Sequence, residues 1–216
     1  MKSIASMTLH VVGLGLAAAV LTGGCATMEP KAERYVAPPL GSTWTTAQRN
    51  TGSFGSGDAQ VQITRGEQTW QGKQVVTLAS SQGTTLANSE TGKWIAILGP
   101  DGKPVLSFDP PTGFNFPLSV GKTWTSSIKM TMHAANRTIP YDATCKVESY
   151  GDVTVRAGTF TTFKLGCTYT TGLEETFWFS PEMGIFVKSS HKRSANSPLG
   201  GAGTRETELV SVTIRK

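Results

Sequence analysis

The chain is poor in charge and in cysteine, and its longest apolar run is short. Charged residues make up 16% of the 216 residues, alongside 24 Gly and 11 Pro. Few charges and many turn-forming residues disfavour a disordered or helical protein and favour a β-rich exported one. The formal net charge of +5 is scattered, with no Lys/Arg block. We therefore expect no nucleic-acid partner.

Several motifs that carry chemistry are missing. The sequence has no Cys-x-x-Cys, no Gly-x-Ser-x-Gly and no His-x-His, which argues against a redox pair, a nucleophile elbow and a dedicated zinc site. Glu174 and Glu175 are adjacent at the start of a predicted strand. Their side chains should point to opposite faces and serve as surface charge rather than as a catalytic pair. We predict no enzyme, no cofactor and no metal.

The N-terminus has the order of a secretory signal. Lys2 precedes an apolar run from Leu9 to Leu21, and Thr22-Gly23-Gly24 leads into Cys25. The run is about 13 residues long, whereas a membrane-spanning helix needs roughly 20. The end of the run resembles the lipobox of bacterial lipoproteins, with Thr22 where that motif usually has leucine. The alternative is ordinary cleavage near Cys25, which would release a soluble periplasmic protein.

This resemblance implies a division of the chain. Residues 1–24 would be the lipoprotein signal peptide, 25–40 a Pro-containing tether, and 41–216 a single β domain. Cys25 would carry the lipid, palmitate being the kind of acyl chain expected, and more than one chain gives stable anchoring. Because Ala26 rather than Asp follows Cys25, the sorting rule of the family implies an outer-membrane lipoprotein that faces the periplasm.

The two remaining cysteines suggest a disulfide. Cys145 lies on the apolar side of an alternating run that begins at Ile139, and Cys167 lies on the apolar side of another that begins at Thr161. A turn near Ala157 would bring the two strands together, and an oxidising compartment favours pairing. The register requires a bulge, for which 151–152 is a candidate. Two buried free thiols are the alternative.

Short alternating runs separated by glycine recur along the chain, and they predict an all-β fold, either an antiparallel sandwich or a partly open barrel. A weak repeat supports two similar β-units, at about 41–110 and 115–216. The sequence Gly-x-Thr-Trp-Thr occurs at 41–45 and 121–125, and later in each half a tryptophan strand precedes a Pro-containing turn with glycine. Two recurrent turn patterns would give the same similarity between the halves without a duplication. If the two units are similar, Trp44 and Trp124 should occupy equivalent buried positions.

Part of the second half resembles a family of bacterial exported proteins of unknown function. The matching segments are Val-x-Val-x-Ala-Gly-Thr-Phe at 153–160 and Trp-x-x-Pro-Glu-x-Gly at 178–184, with Pro-Leu-x-x-Gly-x-x-Trp at 117–124. The resemblance covers roughly residues 115–190. It implies a hairpin and a strand with its turn, and it assigns no catalytic residue.

The five Trp and nine Phe residues could form core alone or could line an apolar concavity in a curved sheet. From these observations we expect a membrane-anchored envelope lipoprotein that is a non-catalytic interaction or apolar-ligand-binding module. A structural accessory subunit of an envelope complex is the alternative. Its expected contacts are the membrane, through the N-terminal lipid, and an apolar ligand or an envelope protein.

Replacing Cys25 tests the lipid anchor. Cys25→Ser removes the thiol that would accept the lipid, so the protein should move from the membrane to the soluble periplasmic fraction or remain unprocessed. Fractionation and immunoblotting of cells expressing each form measure this. Normal maturation together with unchanged membrane fractionation would contradict lipidation.

Overall fold

The computed structural model describes residues 30–215, so Cys25 and the predicted signal peptide lie outside the described residues. Within this range the chain forms fourteen β-strands. No helix in it is long and apolar enough to cross a membrane. The strands are β1 (Lys31–Ala32), β2 (Thr43–Gly52), β3 (Gly57–Trp70), β4 (Lys73–Ser80), β5 (Gly83–Asn88), β6 (Trp94–Leu98), β7 (Pro104–Thr112), β8 (Leu118–Ser119), β9 (Thr123–Met132), β10 (Arg137–Val155), β11 (Gly158–Tyr169), β12 (Leu173–Ser180), β13 (Ile185–Arg193) and β14 (Gly203–Thr213).

Twelve of these strands form a closed antiparallel barrel. Strands β2–β7 and β9–β14 pair as neighbours in chain order, and β14 returns to pair with β2. The closing ladder runs from Thr43 opposite Thr213 to Gly52 opposite Gly203. The all-β antiparallel prediction is confirmed, whereas the predicted sandwich or partly open barrel is wrong in its detail. Pairing between the first and last long strands, which sequence periodicity cannot show, removes both edges.

Alternation along each strand sends apolar side chains into the barrel. In β10, buried and exposed residues alternate strictly from Ile139 to Val147. Trp44 and Trp124, each the second residue of its strand, are only 5% and 9% exposed, which confirms their predicted burial. Each half of the chain supplies six barrel strands, but Trp94 lines the cavity whereas Trp178 does not. Duplication stays a prediction.

The segment before β2 packs against one end of the barrel. Strand β1 pairs with β8, and Ala32 is buried beside Leu118. Gly184 and Gly92 make room for the segment: a Cβ on Gly184 would lie 2.0 Å from the carbonyl oxygen of Val36, and a Cβ on Gly92 would lie 2.7 Å from the Tyr35 ring. The predicted tether, in its described part, is therefore a packed element of the fold.

The β10–β11 hairpin carries the predicted disulfide. A two-residue turn at Arg156–Ala157 joins the strands, and a register shift between Val147 and Ser149 brings Cys145 opposite Cys167. Their Cα atoms are 4.1 Å apart and the sulfurs are bonded. The disulfide is thus confirmed. The required bulge lies at 147–149 rather than at 151–152.

Removing the disulfide should destabilise the barrel. The bond closes a loop with a sequence separation of 22, for which the chain-entropy model gives about 3 kcal/mol. The Cys145→Ala/Cys167→Ala variant should lose about that much free energy of unfolding in a denaturant titration. Wild-type protein in reductant is the matched comparison, since both forms lack the bond. Equal stability of the oxidised wild type and the variant would contradict the prediction.

Candidate functional site

The barrel encloses a cavity of about 530 Å³. Each of the twelve barrel strands contributes lining residues, mostly at alternate positions. In β9 the lining series is Trp124, Ser126, Ile128 and Met130, and in β13 it includes Ser189, His191 and Arg193. This volume lies within the range of about 300–1,000 Å³ that is typical of small-molecule sites. The interior is therefore the candidate functional site.

One end of the cavity is a cluster of aromatic rings, which we call the aromatic floor. Phe114 lies at its centre and meets Phe177 and Phe186 edge to face, with ring centroids 5.4 and 5.5 Å apart. Edge-to-face contacts add to the stabilisation from apolar burial. The members of the aromatic floor are Phe114, Phe116, Trp124, Phe177, Phe179 and Phe186. This end presents apolar surface to any ligand.

The loop between β7 and β8 brings two of these rings into the floor. Lys122 holds the loop in place because its ammonium group donates hydrogen bonds to the carbonyl oxygens of Pro117 (2.7 Å) and Asn115. Desolvation lowers the pKa of Lys122, and the nearby charge of Lys31 lowers it further. Both anchoring carbonyls adjoin Phe116, so the cation positions an apolar part of the site.

Nearer the other end, four polar side chains form a connected row on the barrel wall, which we call the polar row. The Tyr169 hydroxyl donates to Glu175 Oε2 (2.5 Å), and His191 Nδ1 lies 2.7 Å from Glu175 Oε1. A carboxylate only accepts, so His191 Nδ1 donates to Glu175, and Nε2 lies 3.0 Å from the Ser189 hydroxyl oxygen, within hydrogen-bond distance. Every member of the polar row has a partner.

Glu175 overturns the prediction of surface charge for the Glu174–Glu175 pair. The two side chains do point to opposite faces, but that of Glu175 enters the barrel and is only 16% exposed, as is that of His191. Burial raises the pKa of Tyr169 well above its usual value, and the charge of Glu175 raises it further. The Tyr169 phenol therefore stays protonated and remains a donor.

The hydrogen bonds that connect Ser189 to His191 and His191 to Glu175 give the serine–histidine–carboxylate arrangement of an acyl-transfer triad. Such chemistry also needs donors for the oxyanion, usually free main-chain N–H groups. Strand β13 is paired on both sides at Ser189, with Phe177 and with Thr207. The main-chain groups beside the serine are therefore committed to the sheet.

At the mouth of the cavity, opposite the floor, two arginines lie against one aromatic ring. The guanidinium carbons of Arg193 and Arg205 are 3.9 and 5.1 Å from the ring centroid of Phe54. Arg193 donates to the carbonyl oxygen of Leu199 (3.0 Å), and Arg205 Nε donates to Asn50 Oδ1 (2.7 Å). The mouth thus brings two cations together.

Desolvation lowers the pKa of both arginines. For Arg193, the charge of Arg205 adds to this effect and Glu175 partly opposes it. In residues 30–215, neither guanidinium has a carboxylate oxygen within 4.0 Å. The mouth therefore holds two cations that make no direct ion pair among the described residues, in a partly desolvated place.

The cysteines of the disulfide belong to the wall of this site. Cys145 and Cys167 both line the cavity, and Cys145 lies opposite Trp124. In the described part of the chain, no group of three His, Cys, Asp or Glu residues is placed to hold a metal ion.

Sequence reasoning missed the polar row and the arginines at the mouth. The available signal was a polar period-2 pattern: Ser189, His191 and Arg193 alternate along β13, and Arg205 and Thr207 alternate along β14. An alternating polar face normally indicates the solvent side of a sheet, so only closure of the barrel identifies it as interior.

Comparisons with known proteins give distant structural likenesses only. No family model matches the chain, and no curated protein matches it. A hypothetical lipoprotein, YmcC, from Escherichia coli K12 is 13% identical with a TM-score of 0.45, and the match covers 80% of this chain and 85% of that one. A candidate exported protein with a YmcC-like fold from Bacteroides fragilis is 11% identical with a TM-score of 0.42, covering 84% and 99%. A candidate lipoprotein from Parabacteroides distasonis is 11% identical with a TM-score of 0.41, also covering 84% and 99%.

Proposed function

We propose that this protein is a membrane-anchored envelope lipoprotein that binds an apolar ligand inside its barrel without changing it chemically. The observation that carries the proposal is the barrel cavity of about 530 Å³, open at its mouth, with the aromatic floor at the other end. Apolar surface in a preformed, mostly enclosed pocket is the usual basis of small-molecule binding. Binding would remove the ligand's apolar surface from water.

The anchoring part of the proposal rests on the N-terminal sequence. A lipid on Cys25 would attach the barrel to the outer membrane on its periplasmic side, within reach of envelope lipids and hydrophobic compounds. The proposed contacts are therefore the membrane, through the lipid, and an apolar ligand. The scattered charge of the chain favours no nucleic acid.

The alternative role is a structural accessory subunit of an envelope complex. Strand addition, one common way to recruit a partner protein, needs an unpaired sheet edge. Closure by β14 and β2 removes the two edges that an open twelve-stranded sheet would have, and the end of the β10–β11 hairpin extends past β9 and β12 as a ribbon paired within itself. The closed fold therefore favours the ligand-binding role over this route to a partner.

Filling the cavity tests ligand binding. Ala143 faces the interior of β10 and lines the cavity, while its neighbour Thr144 is exposed. Ala143→Phe should abolish retention of a co-purifying apolar compound, whereas the matched control Thr144→Phe should retain it. Native mass spectrometry of each protein purified from its host envelope measures this, with circular dichroism as a check of folding. Equal retention by two folded variants, or no ligand in the wild type, would contradict the proposal.

A second candidate function, a serine hydrolase for ester ligands, is favoured by one observation: the hydrogen-bonded order of Ser189, His191 and Glu175. A fluorophosphonate probe separates the two functions. We expect no labelling of the wild type, because main-chain oxyanion donors beside Ser189 are committed to the sheet. Labelling that disappears in Ser189→Ala would overturn the non-catalytic proposal.

A further inference from the structure

We propose that the ligand is an amphiphile with one apolar chain and an anionic group, a carboxylate or a phosphate, which Arg193 and Arg205 bind at the mouth of the cavity. This inference rests on the proposed function and names the class of ligand. The apolar chain would lie toward the aromatic floor.

The two guanidinium groups have donors to spare. Arg193 uses Nη1 for main-chain oxygens of the loops around the mouth, and its buried Nε has no hydrogen-bond partner in residues 30–215. Arg205 uses Nε for Asn50, and its terminal nitrogens have no partner among the described residues. A buried donor without a partner costs free energy. Planar guanidinium groups match the paired oxygens of a carboxylate or a phosphate.

Among residues 30–215, no carboxylate forms an ion pair with either guanidinium group. Glu175, whose charge acts on Arg193, already accepts hydrogen bonds from His191 and Tyr169. Two like charges in a partly desolvated place repel each other and have lost hydration. A bound anion would offset both costs.

The interior leads from this charged mouth to the apolar floor. The ring of Phe54, against which both arginines lie, is 6.3 Å from the ring of His191, and His191 is 5.5 Å from Phe177 of the aromatic floor. All three rings line the same cavity. A molecule that fills it therefore meets cations at one end and aromatic rings at the other. Such a gradient in polarity fits an anionic amphiphile better than a fully apolar compound.

Three probes that share one carbon chain length and differ in their polar group test the proposal: dodecanoate, dodecyl phosphate and dodecanol. We expect at least one anionic probe to bind the full-length protein about tenfold or more tightly than dodecanol, as measured by isothermal titration calorimetry below the micellar concentration. The tighter of the two anions distinguishes a carboxylate site from a phosphate site. Arg193→Gln and Arg205→Gln should each weaken anion binding about tenfold and leave dodecanol binding unchanged.

Arg49→Gln is the matched control, because Arg49 is on β2 and its side chain is 74% exposed outside the cavity. It should leave the affinity for all three probes unchanged. Dodecanol binding by each variant also shows that its barrel is intact. Equal affinities of the three probes for the wild type, or anion binding unaffected in both arginine variants, would overturn the anionic site and leave apolar binding standing. No binding of any probe would overturn both.

Discussion

The ladder between β14 and β2 is the contact on which the rest of the structure depends. It joins the two ends of a long meander, from Thr43 opposite Thr213 to Gly52 opposite Gly203. Without it the twelve strands would form an open sheet with two unpaired edges, and the face that lines the cavity would be open to water. With it, the same face becomes the wall of an enclosed cavity. The ladder also places Arg205 next to Asn50 and so completes one side of the mouth.

The closed barrel separates two kinds of interior. The aromatic floor is apolar and is covered by the N-terminal segment and the β7–β8 loop, where Lys122 holds Phe116 in place. The side chains of the polar row, from Tyr169 to Ser189, hydrogen-bond to one another. Their burial in the barrel wall therefore costs little free energy. The arginines at the mouth differ from both, because their charge has no protein counter-ion among the described residues. The polar row therefore needs no ligand to complete its hydrogen bonds, whereas the arginines at the mouth favour a bound anion.

Much of the fold could be predicted from local patterns. The alternation from Ile139 to Val147 predicted a half-buried strand, and the shared apolar faces of Cys145 and Cys167 predicted the disulfide. The candidate site could not be predicted in the same way. Glu175 and His191 are 16 residues apart and on neighbouring strands, and the interpretation of Glu175 as surface charge was wrong. A strand's pattern shows which residues share a face, but it does not show whether a polar face meets water or a cavity.

The sequence by itself determined the period-2 strands, the buried tryptophans near the starts of β2 and β9, and the pairing of the two cysteines. Each depends on residues near one another in the chain or on one hairpin, where side-chain alternation and turn geometry decide the outcome. Only the tertiary structure decided that the sheet closes, which face is interior, and that the segment before β2 packs on the barrel. These features depend on contacts between distant parts of the chain, such as Gly184 with Val36. No local pattern specifies such contacts, because they form only when the whole barrel does.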